Sequence, residues 1–541
     1  MHMYKPKNKI IVFDTTLRDG EQASGCHMTS DEKMRIAKEL QNVNVDVIEA
    51  GFPVSSQGDW TAVNAIASEI SGPVIAGLSM ARDDNIDASG TALEPAIRRG
   101  KGRIHTFIAT SQIHMEKKLR KNPEEVRELA RNAVRRARAF TPDVEFSTED
   151  FGRSDVSYVA EIVMAAIEEG ATTINLPDTV GYLTPREMYV KTRQLIHAVS
   201  HAAEQRGIPI EHVVFSAHCH NDLGNATAHT CEAVRAGCRQ VEGTFNGIGE
   251  RAGNTALEEV IANIHERGKH VRNPFTGFRD PFYGLDVSHI NRSAIGSASD
   301  AIYRAIEQSR PMNKAIVGRN AFAHEAGIHV HGVLLDTNTY EWMNPEEYGV
   351  ESRITLGPRT GIHGIMHRCR ALGFGIIPAE QRVIADRFIH ATEGWKLSDD
   401  AHIVQAILGA ETIPETYVLN DFAIVEKGYG ANAHLKLTVQ GETHESVAEA
   451  AGGIDAFCRA LRRVVPYAFD INEYASYAVT PGAAALGKET VIIANNGFTT
   501  VGVNTQPSVL RGSVYAIMQA VNRMQYVVEH APKDLNTKSE L

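Results

Sequence analysis

The chain has 541 residues, 43% of them hydrophobic and 22% charged, with a formal net charge of −11 at pH 7. That length asks for about two to four domains, the acidic balance excludes the basic footprint of a nucleic-acid binder, and no apolar stretch is long enough to cross a bilayer. Six cysteines, at 26, 219, 231, 238, 369 and 458, form no C-x-x-C pair, and the first seven residues carry charge without an apolar run, so no secretory leader is expected and a reduced, cytoplasmic setting is.

The ordered pattern begins with Ile10-Ile11-Val12-Phe13-Asp14, a buried strand whose tip continues into Thr15-Thr16-Leu17-Arg18-Asp19-Gly20. Apolar residues suffice to build a strand, so an Arg-Asp pair at its C-terminal tip needs another reason. In a barrel of parallel strands that tip is where active sites are assembled. Strands are predicted at 10–14, 45–50, 73–78, 103–109, 143–147, 172–176, 213–217 and 239–243, with amphipathic helices such as 30–41, 123–139, 157–169 and 186–204 between them. Eight alternations over residues 8–270 predict a (β/α)8 TIM barrel in preference to a doubly wound sheet.

Residues 271–397 are read as a linker, irregular and rich in Phe, Tyr and Pro near 270–283, followed by helical subdomains. From 398 to 530 strand-like runs (417–425, 433–439, 474–479, 491–494, 498–503) and two helices (453–464, 508–524) predict a duplicated α+β module. The tail 531–541 is polar, and no fixed structure is expected of it.

Chemistry concentrates at the strand tips. In Ala217-His218-Cys219-His220 the two histidines are two residues apart on a strand and face the same side. Such a pair suits a metal or a hydrogen-bonded core pair; its place at the barrel's functional end favours the metal. The eighth strand runs into Gly247-Ile248-Gly249-Glu250-Arg251-Ala252-Gly253-Asn254, which is no dinucleotide fingerprint but can offer the Asn254 carbonyl oxygen. Closing the barrel makes strands seven, eight and one neighbours, so Asp19, His218, His220 and Asn254 can converge. Two nitrogens and two oxygens suit Mn²⁺, Mg²⁺ or Zn²⁺ and leave room for a chelating substrate. Other strand ends are polar too: His105, Ser147, Glu149, Asn175 and Thr179. In 324–329 two histidines five residues apart would diverge by roughly 140° on one helix, which excludes a zinc-protease motif.

Together F-D-T-T-L-R-D-G-E-Q (13–22), I-E-A-G-F-P (48–53), E-F-S-T-E-D (145–150), N-L-P-D-T-V-G-Y (175–182), H-C-H-N-D-L-G (218–224) and N-G-I-G-E-R-A-G-N (246–254) resemble the 2-isopropylmalate synthase family of Claisen-condensing, metallolyase-type TIM barrels. The resemblance implies an acyltransferase that condenses acetyl-CoA with 3-methyl-2-oxobutanoate to 2-isopropylmalate and CoA, in leucine biosynthesis. It implies Asp19, His218, His220 and Asn254 as ligands of a divalent metal, and Arg18 on the keto group of the 2-oxoacid. Thr179 would take the carboxylate, His105, Ser147 and Asn175 would line the side-chain pocket, and Glu149, His329 and Tyr340 would handle the proton of the thioester methyl. A homodimer or higher homo-oligomer and a leucine-binding, regulatory-type carboxyl-terminal domain follow from the same likeness. The chain departs from it at Thr505-Gln506-Pro507-Ser508, where the family carries an acid that would answer an ammonium group, so leucine feedback is expected to be weak. Citramalate and homocitrate synthases are the sister alternatives, and a non-catalytic ligand sensor is the alternative outside enzymes.

Overall fold

Eight parallel strands close on themselves in chain order: β1 (Ile11–Asp14), β2 (Val47–Glu49), β3 (Val74–Met80), β4 (Gly102–Ala109), β5 (Val144–Glu149), β6 (Thr173–Asp178), β7 (Val214–Cys219) and β8 (Gln240–Gly243). The seam pairs β1 with β8 in register, Ile11 with Gln240 and Asp14 with Gly243. This is the predicted TIM barrel, seen in a computed structural model that describes residues 7–482 and 485–532. The leaderless reading of the first residues falls on 1–6, and most of the polar tail on 533–541; both lie outside the described residues.

Local sequence explains where the helices start. Thr29, Asn122 and Thr184 each accept a backbone N–H at a helix N-terminus, and Glu32, Glu125 and Glu187 return to the capping residue's own N–H. Each box satisfies two donors that a helix start would otherwise leave open. The helix after β8 begins at Leu257, which leaves Asn254 in the loop.

The barrel interior is divided by polarity. Phe13, Val47 and Ala76 form a small apolar cluster on the side of β1 to β3. Opposite them Arg103 donates to Glu145 at 2.9 Å and to Gln240 at 2.8 Å. Because β4 and β8 are not neighbours, the Arg103–Gln240 bond crosses the lumen. Barrels of this class usually fill with branched apolar side chains, so a charged half needs a purpose.

The described chain forms two compact units. One runs through Phe322 and takes in Met343–Ser352; the other is Ala323–Trp342 with the chain from Arg353 onward. In the second unit β9 (Ala323–His324) pairs with β10 (Arg353–Ile354). Two three-stranded antiparallel sheets follow, β11 (Tyr417–Lys427), β12 (Gly430–Val439) and β13 (Glu442–Ala450), then β14 (Asp470–Ala478), β15 (Gly487–Asn495) and β16 (Phe498–Gln506). Helices Gly453–Leu461 and Val509–His530 close the two repeats. The duplication was predicted with five strands, and β13 is the correction. Its first four residues, Glu442 to His444 and Glu445, are all exposed, so its polar text hides the alternation. The last helix also runs six residues past the predicted end.

One core spans both repeats and the helices Ile362–Ala371, Pro378–Thr392 and Asp400–Leu408. At its centre Asp399 caps the last of these helices, accepts from the Val501 backbone at 2.9 Å and takes two hydrogen bonds from Arg523, at 2.6 and 2.5 Å. His402 lies 2.8 Å from both partners. Among the described residues no helix is long and apolar enough to cross a membrane, and all six cysteines are unpaired.

Burial pushes the Asp399 carboxyl up, but Arg523 and His402 outweigh it and hold it well below the usual carboxylate range. A group held low in the folded state stabilises fully above its unfolded value, about 3.9, and loses that contribution as pH falls below it. Asp399→Asn should cost about 3–5 kcal/mol by leaving Arg523 buried and unpaired. Urea unfolding of the full chain at pH 7 and pH 3 checks this: the gap between parent and variant should shrink at pH 3.

Candidate active site

The tip of β1 turns sharply, with Arg18, Asp19 and Gly20 all donating their backbone N–H to the Thr15 carbonyl. This turn brings Arg18 and Asp19 over the mouth of the barrel. Arg18 Nη1 lies 3.0 Å from Asp19 Oδ2, and its Nε donates to Glu49 Oε2 at 2.6 Å. Across the β1–β8 seam and one strand further, His218 Nε2 stands 3.1 Å and His220 Nε2 3.7 Å from the same Asp19 oxygen, with 3.2 Å between the two imidazole nitrogens. His220 forms an antiparallel bridge with Asn254. The four predicted ligands are only 2–6% exposed. Asp19, His218 and His220 are brought together as one candidate metal cluster, and Asn254 stands beside it.

Three observations test whether a cation fits. The Asn254 Nδ2 donates to the Ile248 carbonyl at 3.1 Å, while its Oδ1 is buried without a partner. A buried, unanswered acceptor costs about 1–3 kcal/mol, and a cation beside His220 would answer it. Burial pushes the His220 imidazole down to about 4, with Asp19 opposing, so at neutral pH its ring is uncharged, as a ligand must be. Burial works against the charge on Asp19 as well, but Arg18 first and then His218 hold its carboxyl well below the ordinary range. The donor set therefore fits a divalent metal, with Asp19, His218, His220 and Asn254 as the residues that would hold it.

The loop after β8 supplies Asn254. Gly253 at φ +92° and Gly247 at φ +69° make the turns that return the chain to β7, where Thr255 donates to the Cys219 carbonyl at 2.9 Å. Arg251 clamps the outside of this loop: its guanidinium donates twice to Asp222, at 2.7 and 3.1 Å, and to the Thr179 carbonyl at 2.8 Å. Loops after β6, β7 and β8 are thereby tied together.

The other predicted residues of the barrel fall into a chain of hydrogen bonds. Glu49 Oε1 lies 2.6 Å from His105 Nδ1, His105 Nε2 lies 2.6 Å from Ser147 Oγ, and Asn175 Nδ2 donates to Ser147 at 2.9 Å and to Glu242 at 2.8 Å. With Glu242 Oε2 at 3.6 Å from His218 Nδ1, the chain closes into a ring through His218, Asp19, Arg18 and back to Glu49. Burial raises Glu49, yet Arg18 and His105 bring it down to about 2. As an ionised acceptor it orders the donors: Nδ1–H of His105 toward Glu49, the Ser147 hydroxyl toward His105. Both N–H groups of Asn175 are then used, and its Oδ1 is buried and unpaired. Thr179 Oγ1 accepts from the Asp150 backbone at 2.9 Å, which leaves its proton free to donate. Glu149, at the end of β5, takes a bond from Lys118 at 2.6 Å.

His329 and Tyr340 belong to the second unit. Their rings stack at 4.3 Å, with His324 6.4 Å from His329. The helix begins only at Gly327, so His324 lies in β9 and the 140° divergence expected on one helix does not apply. His324 instead bonds Glu341 at 2.7 Å. Sequence reasoning assigned no role to Glu49 or Glu242. A charged residue at an inward position of a buried parallel strand, as in Val-Ile-Glu of β2 and Val-Glu-Gly of β8, is the signal that marks both.

Comparison with known proteins adds an independent line. Residues 9–281 match the HMGL-like family, 316–394 the homocitrate synthase post-HMGL domain-like family, and 398–525 the LeuA allosteric (dimerisation) domain. The chain is similar to 2-isopropylmalate synthase of Aquifex aeolicus (strain VF5), 41% identical over 531 residues that span 96% of this chain and 98% of that one. It is 42% identical over 528 residues to 2-isopropylmalate synthase of Pyrococcus furiosus, covering 96% of this chain and 99% of the relative.

A methyl group added at Gly249 would run into the Asn254 side-chain amide. Gly249→Ala should therefore weaken Mn²⁺ binding at least tenfold while the barrel stays folded, the order of effect that displaced supporting groups have on metal sites. Titration of the metal-free protein with Mn²⁺, followed by electron paramagnetic resonance, measures it; unchanged affinity would remove Asn254 from the ligand set.

Proposed function

The chain belongs to the 2-isopropylmalate synthase family, and on that premise we propose how its residues carry the reaction. It is an acyltransferase that condenses acetyl-CoA with 3-methyl-2-oxobutanoate, giving 2-isopropylmalate and CoA in the first committed step of leucine biosynthesis. The observation that carries the assignment of roles is the convergence of Asp19, His218 and His220 beside Arg18, with the Asn254 oxygen unanswered next to them. When bound there, Mn²⁺, Mg²⁺ or Zn²⁺ supplies Lewis acidity to a chelating 2-oxoacid.

Arg18 binds the keto oxygen of the oxoacid and stabilises the negative charge that grows on it. Its guanidinium is fixed beforehand by Glu49 and Asp19, so no reorganisation is needed when the charge appears. The free hydroxyl proton of Thr179 is directed to the substrate carboxylate. His105, Ser147 and Asn175 border the branched side chain, their mutual bonds holding the wall of the pocket. Glu149 takes the proton from the thioester methyl, a step to which the family resemblance also assigns His329 and Tyr340. The resulting enolate carbon attacks the keto carbon, the alkoxide so formed takes up a proton, and water then hydrolyses the thioester to a carboxylate and the CoA thiol.

The labour divides along the barrel at 8–270, the linker and helical subdomains at 271–397 and the regulatory-type domain at 398–530, a division the three family matches support. The match to a dimerisation domain supports a homodimer or higher homo-oligomer, and six unpaired cysteines support a cytoplasmic setting.

Thiol release from acetyl-CoA with a panel of 2-oxoacids and added Mn²⁺ or Mg²⁺ tests the substrate: 3-methyl-2-oxobutanoate should be preferred, and a preference for pyruvate or 2-oxoglutarate would sink the assignment. In the same assay Arg18→Gln should lower kcat by about 10²–10³, the scale of losing one preorganised oxyanion donor. Leucine should inhibit weakly, since residues 505–508 lack an acid; strong inhibition would refute that.

A further inference from the structure

Glu242 lies beneath the site in β8 and is fully buried. It stands directly across from His218 in the β7–β8 pairing, so both side chains point into the barrel. Its Oε1 accepts from Ser216 at 2.5 Å and from Gln240 at 3.1 Å. Its Oε2 accepts from Asn175 at 2.8 Å and faces His218 Nδ1 at 3.6 Å. That ring nitrogen is buried and has no hydrogen-bond partner.

The other nitrogen, Nε2, is turned toward Asp19 and His220. If Nε2 offers its lone pair to a cation, Nδ1 has to carry the proton, and a buried N–H needs an acceptor. Glu242 Oε2 is the carboxylate oxygen placed to provide it. The same oxygen holds the Asn175 amide, whose other N–H reaches Ser147 and through it His105. Ser216 and Gln240 fix the opposite oxygen, so the carboxyl group cannot swing away from either duty.

We propose that Glu242 is a positioning residue: one oxygen sets the tautomer and angle of His218 and the orientation of Asn175, so that the metal face and the oxoacid pocket are aligned by a single side chain. The inference rests on the function proposed above and deepens it.

The test is Mn²⁺ binding to the metal-free full chain, followed by electron paramagnetic resonance, with Glu242→Met and Glu242→Gln. Met keeps the volume and removes the acceptor; Gln restores one oxygen. The Met variant should bind Mn²⁺ about 10–100-fold more weakly, and its KM for the 2-oxoacid should rise several-fold while that for acetyl-CoA holds. Gln should return Mn²⁺ affinity to within about threefold of the parent, a rescue that loss of packing alone would not give. A Met variant that binds as the parent does, an oxoacid KM that does not move, or a Gln variant as weak as Met would each overturn the proposal. Should the Met variant fail to fold, Glu242→Asp, whose carboxyl is drawn back from His218, has to show the same loss. The parent and His218→Ala separate the two levels: Mn²⁺ binding that survives His218→Ala overturns the metal site itself, and the role of Glu242 with it.

Discussion

Charge buried in a barrel is the constraint on which the rest of this molecule depends. Arg18, Asp19, Glu49, Arg103, Glu145 and Glu242 are all withdrawn from water within one barrel, and each such charge carries a desolvation penalty of several kcal/mol. The structure tolerates this because the charges answer one another in a ring that seven of the eight strands feed. Burial raises Glu242 well above the ordinary range, and Glu145 beside it adds to the effect. Glu145, nearer His105 and Arg103, is driven the other way despite its burial.

This explains what was legible in the sequence and what was not. Apolar runs marked strands such as β1 and β2, and alternation with helices marked the rest, because strands covered on both sides are largely apolar. The H-x-H of β7 and the Arg-Asp tip of β1 stood out because polar groups at so many strand tips have no packing rationale. The ring did not, since Glu49, His105, Ser147, Asn175 and Glu242 lie on five strands, and their contact depends on the closed register between β1 and β8. A single strand shows the inward parity of one residue and nothing of what it meets across the lumen.

The second unit was read less completely for a related reason. β13 is an edge strand with a charged, exposed face, and such strands are kept polar to discourage pairing with other chains. The start of the helix at Gly327 was hidden because Ala326 stands at its N-cap and offers no capping side chain. Asp399 caps the helix that starts at Asp400. Its bond to Arg523, far along the chain, required the fold to be seen.

The seam between β1 and β8 carries a consequence for the order of events in the life of the chain. Asp19 is made well before His218, His220 and Asn254, and only closure brings them together. A nascent or partly folded barrel therefore has no complete place for a cation, and contacts so distant in sequence form slowly. A ligand that binds only the closed form stabilises that form alone. An ion bound there would favour the chains in which β1 and β8 have met.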